Sequence, residues 1–266
     1  MMKPGEFFSL HPIFTIGEVR QACFRGKADQ TARARLYRAQ RAGQVRRLKQ
    51  GLYQSRPAGM EGFPPPSPLL VASRLAFDAI LSHHSAFEAL GAAHSVFMRL
   101  ATYWTRSSRH CVAIENVRYQ PLLHPSALRR TRREEWGIET VTIQGLDVRT
   151  TGRERTFVDG LQDLRWVGGW EEFCHCVDKF AYLNLTQVLE YASHINSPAL
   201  NSRLGLFLEH NQERFYVGAE VLEELRKNRS SVPVPLIGGD KTGGKRESSW
   251  NVTIPPNLTV ALGELT

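Results

Sequence analysis

The chain has 266 residues, of which 42% are hydrophobic and 23% charged, a globular composition that excludes disorder of the whole chain. Its formal charge is +8, and its four cysteines (Cys23, Cys111, Cys174, Cys176) are too few for a disulfide scaffold and are expected to be reduced. The first residues lack the apolar core of a secretory signal, and the longest apolar stretch, from Pro68 to Leu81, is broken by Arg74 and Asp78; a cytoplasmic protein without a membrane span is expected.

The charge is unevenly placed. Residues 1–56 hold 12 bases against three acids, whereas residues 57–266 hold 22 bases against 23 acids. A block this basic is the footprint of a polyanion partner, because each Lys or Arg set against a phosphate releases a condensed counterion. Glu6 to Leu10 can supply a first helix. Thr15 stands three residues before Glu18, the spacing of a reciprocal helix cap, and predicts a second helix over about 16–24. Gly26 marks a turn. Asp29, Gln30 and Thr31 offer caps for a third helix running to about Gly43.

At about 100° per residue, Leu36, Ala39 and Gly43 of that third helix fall within about 40° of Ala32. They form a narrow stripe suited to packing on the first two helices. Gln30, Thr31, Arg35, Arg38 and Arg41 then face away from the core, with Arg33 and Tyr37 on the flank. Arg for guanine edges and phosphates, Gln for adenine, and a small residue (Ala34) at close approach are what a helix in the major groove requires. Val45 to Gln54, turning at Gln50-Gly51 and carrying Arg46, Arg47 and Lys49, reads as a basic hairpin that tracks phosphates. Residues 1–56 are therefore expected to form a winged helix-turn-helix bound to double-stranded DNA.

Five prolines and two glycines between Arg56 and Pro68 predict a semi-rigid linker over 57–68. Beyond it, helices are expected over about 69–81, 84–91, 153–165, 169–181, 184–195, 199–210 and 218–227. Strands are expected near 99–105, 111–118, 138–149 and 248–254. Residues 69–266 thus read as one mixed α/β domain, and the chain as α/β (α+β).

Several stretches suggest further sites. Gly239 to Lys245 nearly spells a phosphate-cradling loop, but Arg246 stands where Ser or Thr should hold magnesium, so a flexible basic loop is expected. Cys174-His-Cys176 with His194 and His210 suggests zinc, but Cys174 and Cys176 sit about 200° apart on a helix and cannot share one ion without unwinding it, so buried thiols are expected. His83 and His84 beside Ser82 and Ser85 invite a nucleophile reading, yet a serine helix cap explains them more simply. Arg155 and Asp159 form an i,i+4 pair, either structural or part of a functional surface. Arg129, Arg130, Arg132 and Arg133 are either a solvated loop or a second nucleic-acid contact. No metal, cofactor or catalytic residue is expected.

The order of motifs resembles a known family. The Gly51-Leu-Tyr53 wing is followed by Leu81-Ser-His-His-Ser-Ala-Phe-Glu-Ala-Leu-Gly91, by Glu154-Arg-Thr-Phe-Val-Asp-Gly-Leu161 and by Arg203-Leu-Gly-Leu-Phe-Leu-Glu209. In this the chain is similar to the AbiEi antitoxins of type IV toxin-antitoxin systems, first met in phage abortive infection. The resemblance implies that the N-terminal domain binds inverted repeats in its own promoter as an autorepressor. It implies that the C-terminal domain counters a nucleotidyltransferase-like toxin without a stable complex and without catalysis of its own. The alternative from another class is a nuclease with a DNA-targeting domain, its acids among Glu115, Glu134, Glu135 and Glu139.

Overall fold

The computed structural model describes residues 2–24, 29–107, 110–238 and 244–258. The turn read at Gly26 and the loop read over 239–243 lie outside these residues. The chain is a mixed α/β fold that divides into two compact units. One comprises residues 1–81, 97–123 and 140–150; the other comprises 82–96, 124–139 and 151–266.

The first unit opens with α1 (Pro4–Leu10), β1 (Ile13–Thr15), α2 (Ile16–Phe24), α3 (Asp29–Arg41) and a hairpin of β2 (Val45–Lys49) and β3 (Leu52–Ser55). The three strands form an antiparallel sheet in the order β1-β3-β2. The expected cap is present at α2, where Thr15 N–H donates to Glu18 Oε2 at 2.5 Å and Glu18 N–H donates to Thr15 Oγ1 at 3.2 Å. Phe7, Phe8, Phe14, Val19, Leu36, Ala39, Val45 and Tyr53 make the small core. Its aromatic rings stack in sequence, Phe8 on Phe14 at 5.5 Å and Phe14 on Tyr53 at 5.7 Å.

The segment read as a linker is fastened to the hairpin. Pro64 O accepts hydrogen bonds from Gln54 Nε2 at 2.9 Å and from Arg46 Nη2 at 3.3 Å. It leads into α4 (Pro68–Ala72), capped by Ser67, and then into β4 (Ile80–Leu81). The helix expected over 69–81 is therefore only five residues long. The Asp78 carboxylate accepts from Thr105 Oγ1 at 2.7 Å and from Arg106 N–H at 2.8 Å, and this holds the chain extended into β4.

β4 lies inside a six-stranded mixed sheet ordered β6-β7-β5-β4-β9-β8, built with β5 (Leu100–Thr105), β6 (Val112–Ile114), β7 (Val117–Leu123), β8 (Ile138–Ile143) and β9 (Leu146–Thr151). β4 runs parallel to β9 and antiparallel to β5, and β5 runs parallel to β7. The single strands expected over 111–118 and 138–149 are each broken by a tight turn. Glu115 (φ 51°) makes one, and Gln144 (φ 50°) with Gly145 (φ 79°) makes the other, all in the left-handed region. These strands draw residues 97–123 and 140–150 into the first unit, so the compact units do not divide at residues 57–68.

The second unit is mainly helical. It contains α5 (His83–Ala89), α6 (Ser126–Thr131), α7 (Arg153–Gln162), α8 (Trp170–Val177), α9 (Leu185–Ile195), α10 (Pro198–His210), α11 (Gln212–Phe215) and α12 (Ala219–Lys227). A small sheet of β10 (Val234–Pro235), β11 (Lys245–Glu247) and β12 (Val252–Ile254) completes it. One continuous core links these helices, with Phe87, Phe157, Phe173, Tyr191, Leu204 and Trp250 fully enclosed. No helix among the described residues is long and apolar enough to cross a membrane.

Candidate nucleic-acid interface

Ala32, Leu36 and Ala39 are buried on α3, as the angular reading expects. Gly43 is not part of that stripe: it lies past the helix end at φ +64°, where a left-handed residue closes a helix terminus. Gln30, Thr31, Arg33, Ala34, Arg35, Tyr37, Arg38 and Arg41 are all exposed. Residues 30–41 contain no acid, and Arg35, Arg38 and Arg41 form no ion pair with any of the described residues. Three guanidinium groups spaced about one turn apart, roughly 5 Å along the axis, thus project from one face. Each is always charged and presents a planar fork suited to phosphate or guanine.

The hairpin contributes less than its sequence suggests. Arg47 and Lys49 are exposed, and the strand register shifts between them. Arg46 differs from them in having partners within its own unit. Its Nε donates to Gln54 Oε1 at 2.7 Å, its Nη2 lies 2.6 Å from Glu115 Oε1, and its guanidinium sits 5.1 Å over the Phe63 ring. Gln54 is its cross-strand neighbour, while Glu115 and Phe63 lie outside the hairpin and tie it to its own unit, so Arg46 is engaged in holding the fold.

In the second unit the basic run forms a structured end to α6. Arg129, Arg130, Arg132 and Arg133 are exposed, Arg132 closes the helix in the left-handed region at φ 57°, and Arg129 Nε donates to His124 O at 3.0 Å. Arg133 Nη1 donates to the His194 ring at 2.8 Å.

The stretches that carry the family resemblance point inward. Arg155 is fully buried; its Nη1 donates to the carbonyls of Glu134 at 2.8 Å and Trp136 at 2.6 Å, and its Nη2 lies 3.1 Å from His124 Nδ1. Asp159 accepts from Tyr191 Oη at 2.7 Å, and burial followed by the Asp159 charge pushes the Tyr191 hydroxyl well above its ordinary pKa, so it remains a donor. Glu154 Oε1 accepts from Asn184 N–H at 3.0 Å at the start of α9. Arg203 donates to Pro235 O and Gln162 O, and Glu209 Oε2 accepts from Trp250 Nε1 at 2.7 Å. Ser82, His83, His84 and Ser85 are buried, with His83 Nδ1 3.2 Å from Ser82 Oγ, and no Ser82 side-chain bond caps α5. His83 itself takes a left-handed φ of 49°.

Cys174 and Cys176 are buried on α8 as expected, and burial pushes both thiols up to about 12, so they are neutral in the absence of a cation. Spacing within one helix could not show that the fold brings His84 and Glu172 to Cys176, with ligand atoms within 4.8 Å of one another. Among the described residues, Glu115, Glu134, Glu135 and Glu139 form no comparable group.

No family model matches the chain, and no curated protein matches it. The fold is similar to that in the crystal structure of the RV2827C protein from Mycobacterium tuberculosis, at 15% identity and a TM-score of 0.59, over 95% of this chain and 89% of that one.

Proposed function

We propose that this chain is a DNA-binding autorepressor and antitoxin of a type IV toxin-antitoxin system. The observation that carries the DNA-binding half is the exposed face of α3, with three guanidinium groups unpaired among the described residues on a helix seated by a stripe of small apolar residues. The order α1-β1-α2-α3-β2-β3, with its β1-β3-β2 sheet, supports a winged helix-turn-helix in which α3 is the recognition helix. In that reading Gln30, Thr31 and Ala34, near its start, approach base edges in the major groove. Arg35, Arg38 and Arg41 contact guanines or phosphates, while Arg47 and Lys49 of the wing and Arg33 on the flank hold the backbone.

The antitoxin half rests on the order of the four motifs. The charge balance is compatible with it, since the near-neutral remainder of the chain is too large to be an accessory to DNA binding. That remainder counters a nucleotidyltransferase-like toxin without a stable complex, and repression through promoter inverted repeats sets the level of both. Arg38→Ala is expected to weaken binding to the chain's own promoter by about 1–3 kcal/mol, roughly 5- to 150-fold, and to relax sequence preference at one position. A gel-shift series in which this variant binds as tightly as the parent would remove α3 from the recognition role.

A further inference from the structure

We propose that His84 Nε2, Glu172 Oε1 and Cys176 Sγ form a binding site for one Zn2+ ion. Glu172 and Cys176 stand one helical turn apart on α8, and α5 supplies His84 across from them. Oε1 of Glu172 lies 3.1 Å from His84 Nε2 and 3.4 Å from Cys176 Sγ, and the ligand atoms of all three residues lie within 4.8 Å of one another. Tetrahedral zinc with bonds of about 2.0–2.3 Å separates its ligands by roughly 3.3–3.7 Å, so side-chain adjustments of about 1 Å or less close the set. Three protein ligands leave a fourth position for solvent. One imidazole, one thiolate and one carboxylate suit zinc far better than calcium or magnesium, which take oxygen ligands.

The surroundings are those of a held ligand set. The other ring nitrogen of His84, Nδ1, lies 3.0 Å from Glu88 Oε1, the carboxylate-histidine arrangement that fixes the tautomer and orientation of a metal-binding imidazole. Glu172 is held by Ser95, whose N–H donates to Oε1 at 2.8 Å and whose hydroxyl donates to Oε2 at 2.7 Å. The backbone N–H of His94 donates to Cys176 Sγ at 3.3 Å, a bond that strengthens when the sulfur carries charge.

Charge counting supports the same occupant. Both His84 nitrogens face carboxylate oxygens, which only accept, so without a metal the ring is satisfied as an imidazolium between two carboxylates. That cluster sums to −1 with a neutral thiol. When Zn2+ binds, the Nε2 proton of His84 and the thiol proton of Cys176 leave, a coordinating thiol being deprotonated outright, and the sum is again −1. The exchange puts no extra net charge into a buried place.

The test uses the full-length protein, freed of metal by a chelator and titrated with cobalt(II) chloride. One equivalent is expected to give a thiolate-to-cobalt charge-transfer band with tetrahedral d–d bands, and zinc chloride is expected to abolish both. The bands should vanish in Cys176→Ala and persist in Cys174→Ala. Absence of a charge-transfer band in the parent protein, or its persistence in Cys176→Ala, overturns the site. If Cys176→Ala does not fold, His84→Gln and the zinc-induced rise in melting temperature of the parent protein decide it; no rise overturns the proposal.

Discussion

Replacement of Arg155 by alanine is expected to cost about 3–5 kcal/mol of stability, the range for removing one partner of a buried ion pair. Arg155 is 1% exposed. Its loss leaves the carbonyls of Glu134 and Trp136 without this donor and takes from Asp159 a guanidinium 3.5 Å away. The ring of Tyr191, over which the guanidinium sits at 5.2 Å, would border a cavity. Arg155→Lys should recover little, because a single ammonium cannot reach both carbonyls and His124 with the reach of a planar fork. Urea unfolding followed by circular dichroism measures the difference. A loss below 1 kcal/mol would mean that this network does not hold the second unit together.

Gly205→Ala presents two opposed effects. Alanine favours a helix interior over glycine by up to about 1 kcal/mol. Against this, a Cβ at position 205 would meet the six-membered ring of Trp250 at 2.0 Å from Cζ3 and 2.2 Å from Cε3. The indole cannot easily withdraw, since it is fully buried, bonded through Nε1 to Glu209 and covered by the Arg226 guanidinium at 5.0 Å. Overpacking of this kind costs about 1–3 kcal/mol and sometimes more, and it should prevail. We expect a net loss of about 1–2 kcal/mol, and expect a smaller side chain such as Trp250→Leu to relieve much of the clash in the double variant. A Gly205→Ala protein as stable as the parent would show that the helix and the tryptophan can move apart.

Both positions rest on contacts between distant segments, which a sequence does not display. Local features were legible: the Thr15 and Glu18 cap and the apolar phase of α3 follow from spacing within one or two turns. The short turns at Glu115 and at Gln144-Gly145 were hidden inside strand-like runs. The role of Arg46 depends on Gln54, Phe63, Pro64 and Glu115, and spacing in its own hairpin carries no trace of the last three. The same is true of His84 and Glu172, 88 residues apart. The motifs at 154–161 and 203–209 stood out in the sequence because their polar residues are fixed by interior partners. Arg155 supplies a buried fork, Asp159 a tyrosine acceptor, Gly205 a close approach to an indole, and Glu209 the acceptor for that indole.

If the face of α3 binds duplex DNA through its arginines, promoter binding must weaken with salt in proportion to the phosphates they neutralise. Each neutralised phosphate contributes about 0.9 to the slope of log affinity against log salt. Replacing Arg35, Arg38 and Arg41 together by alanine is expected to lower that slope by about 1–3, with weaker binding at every salt concentration. A slope and affinity unchanged from the parent protein would contradict DNA binding by this face.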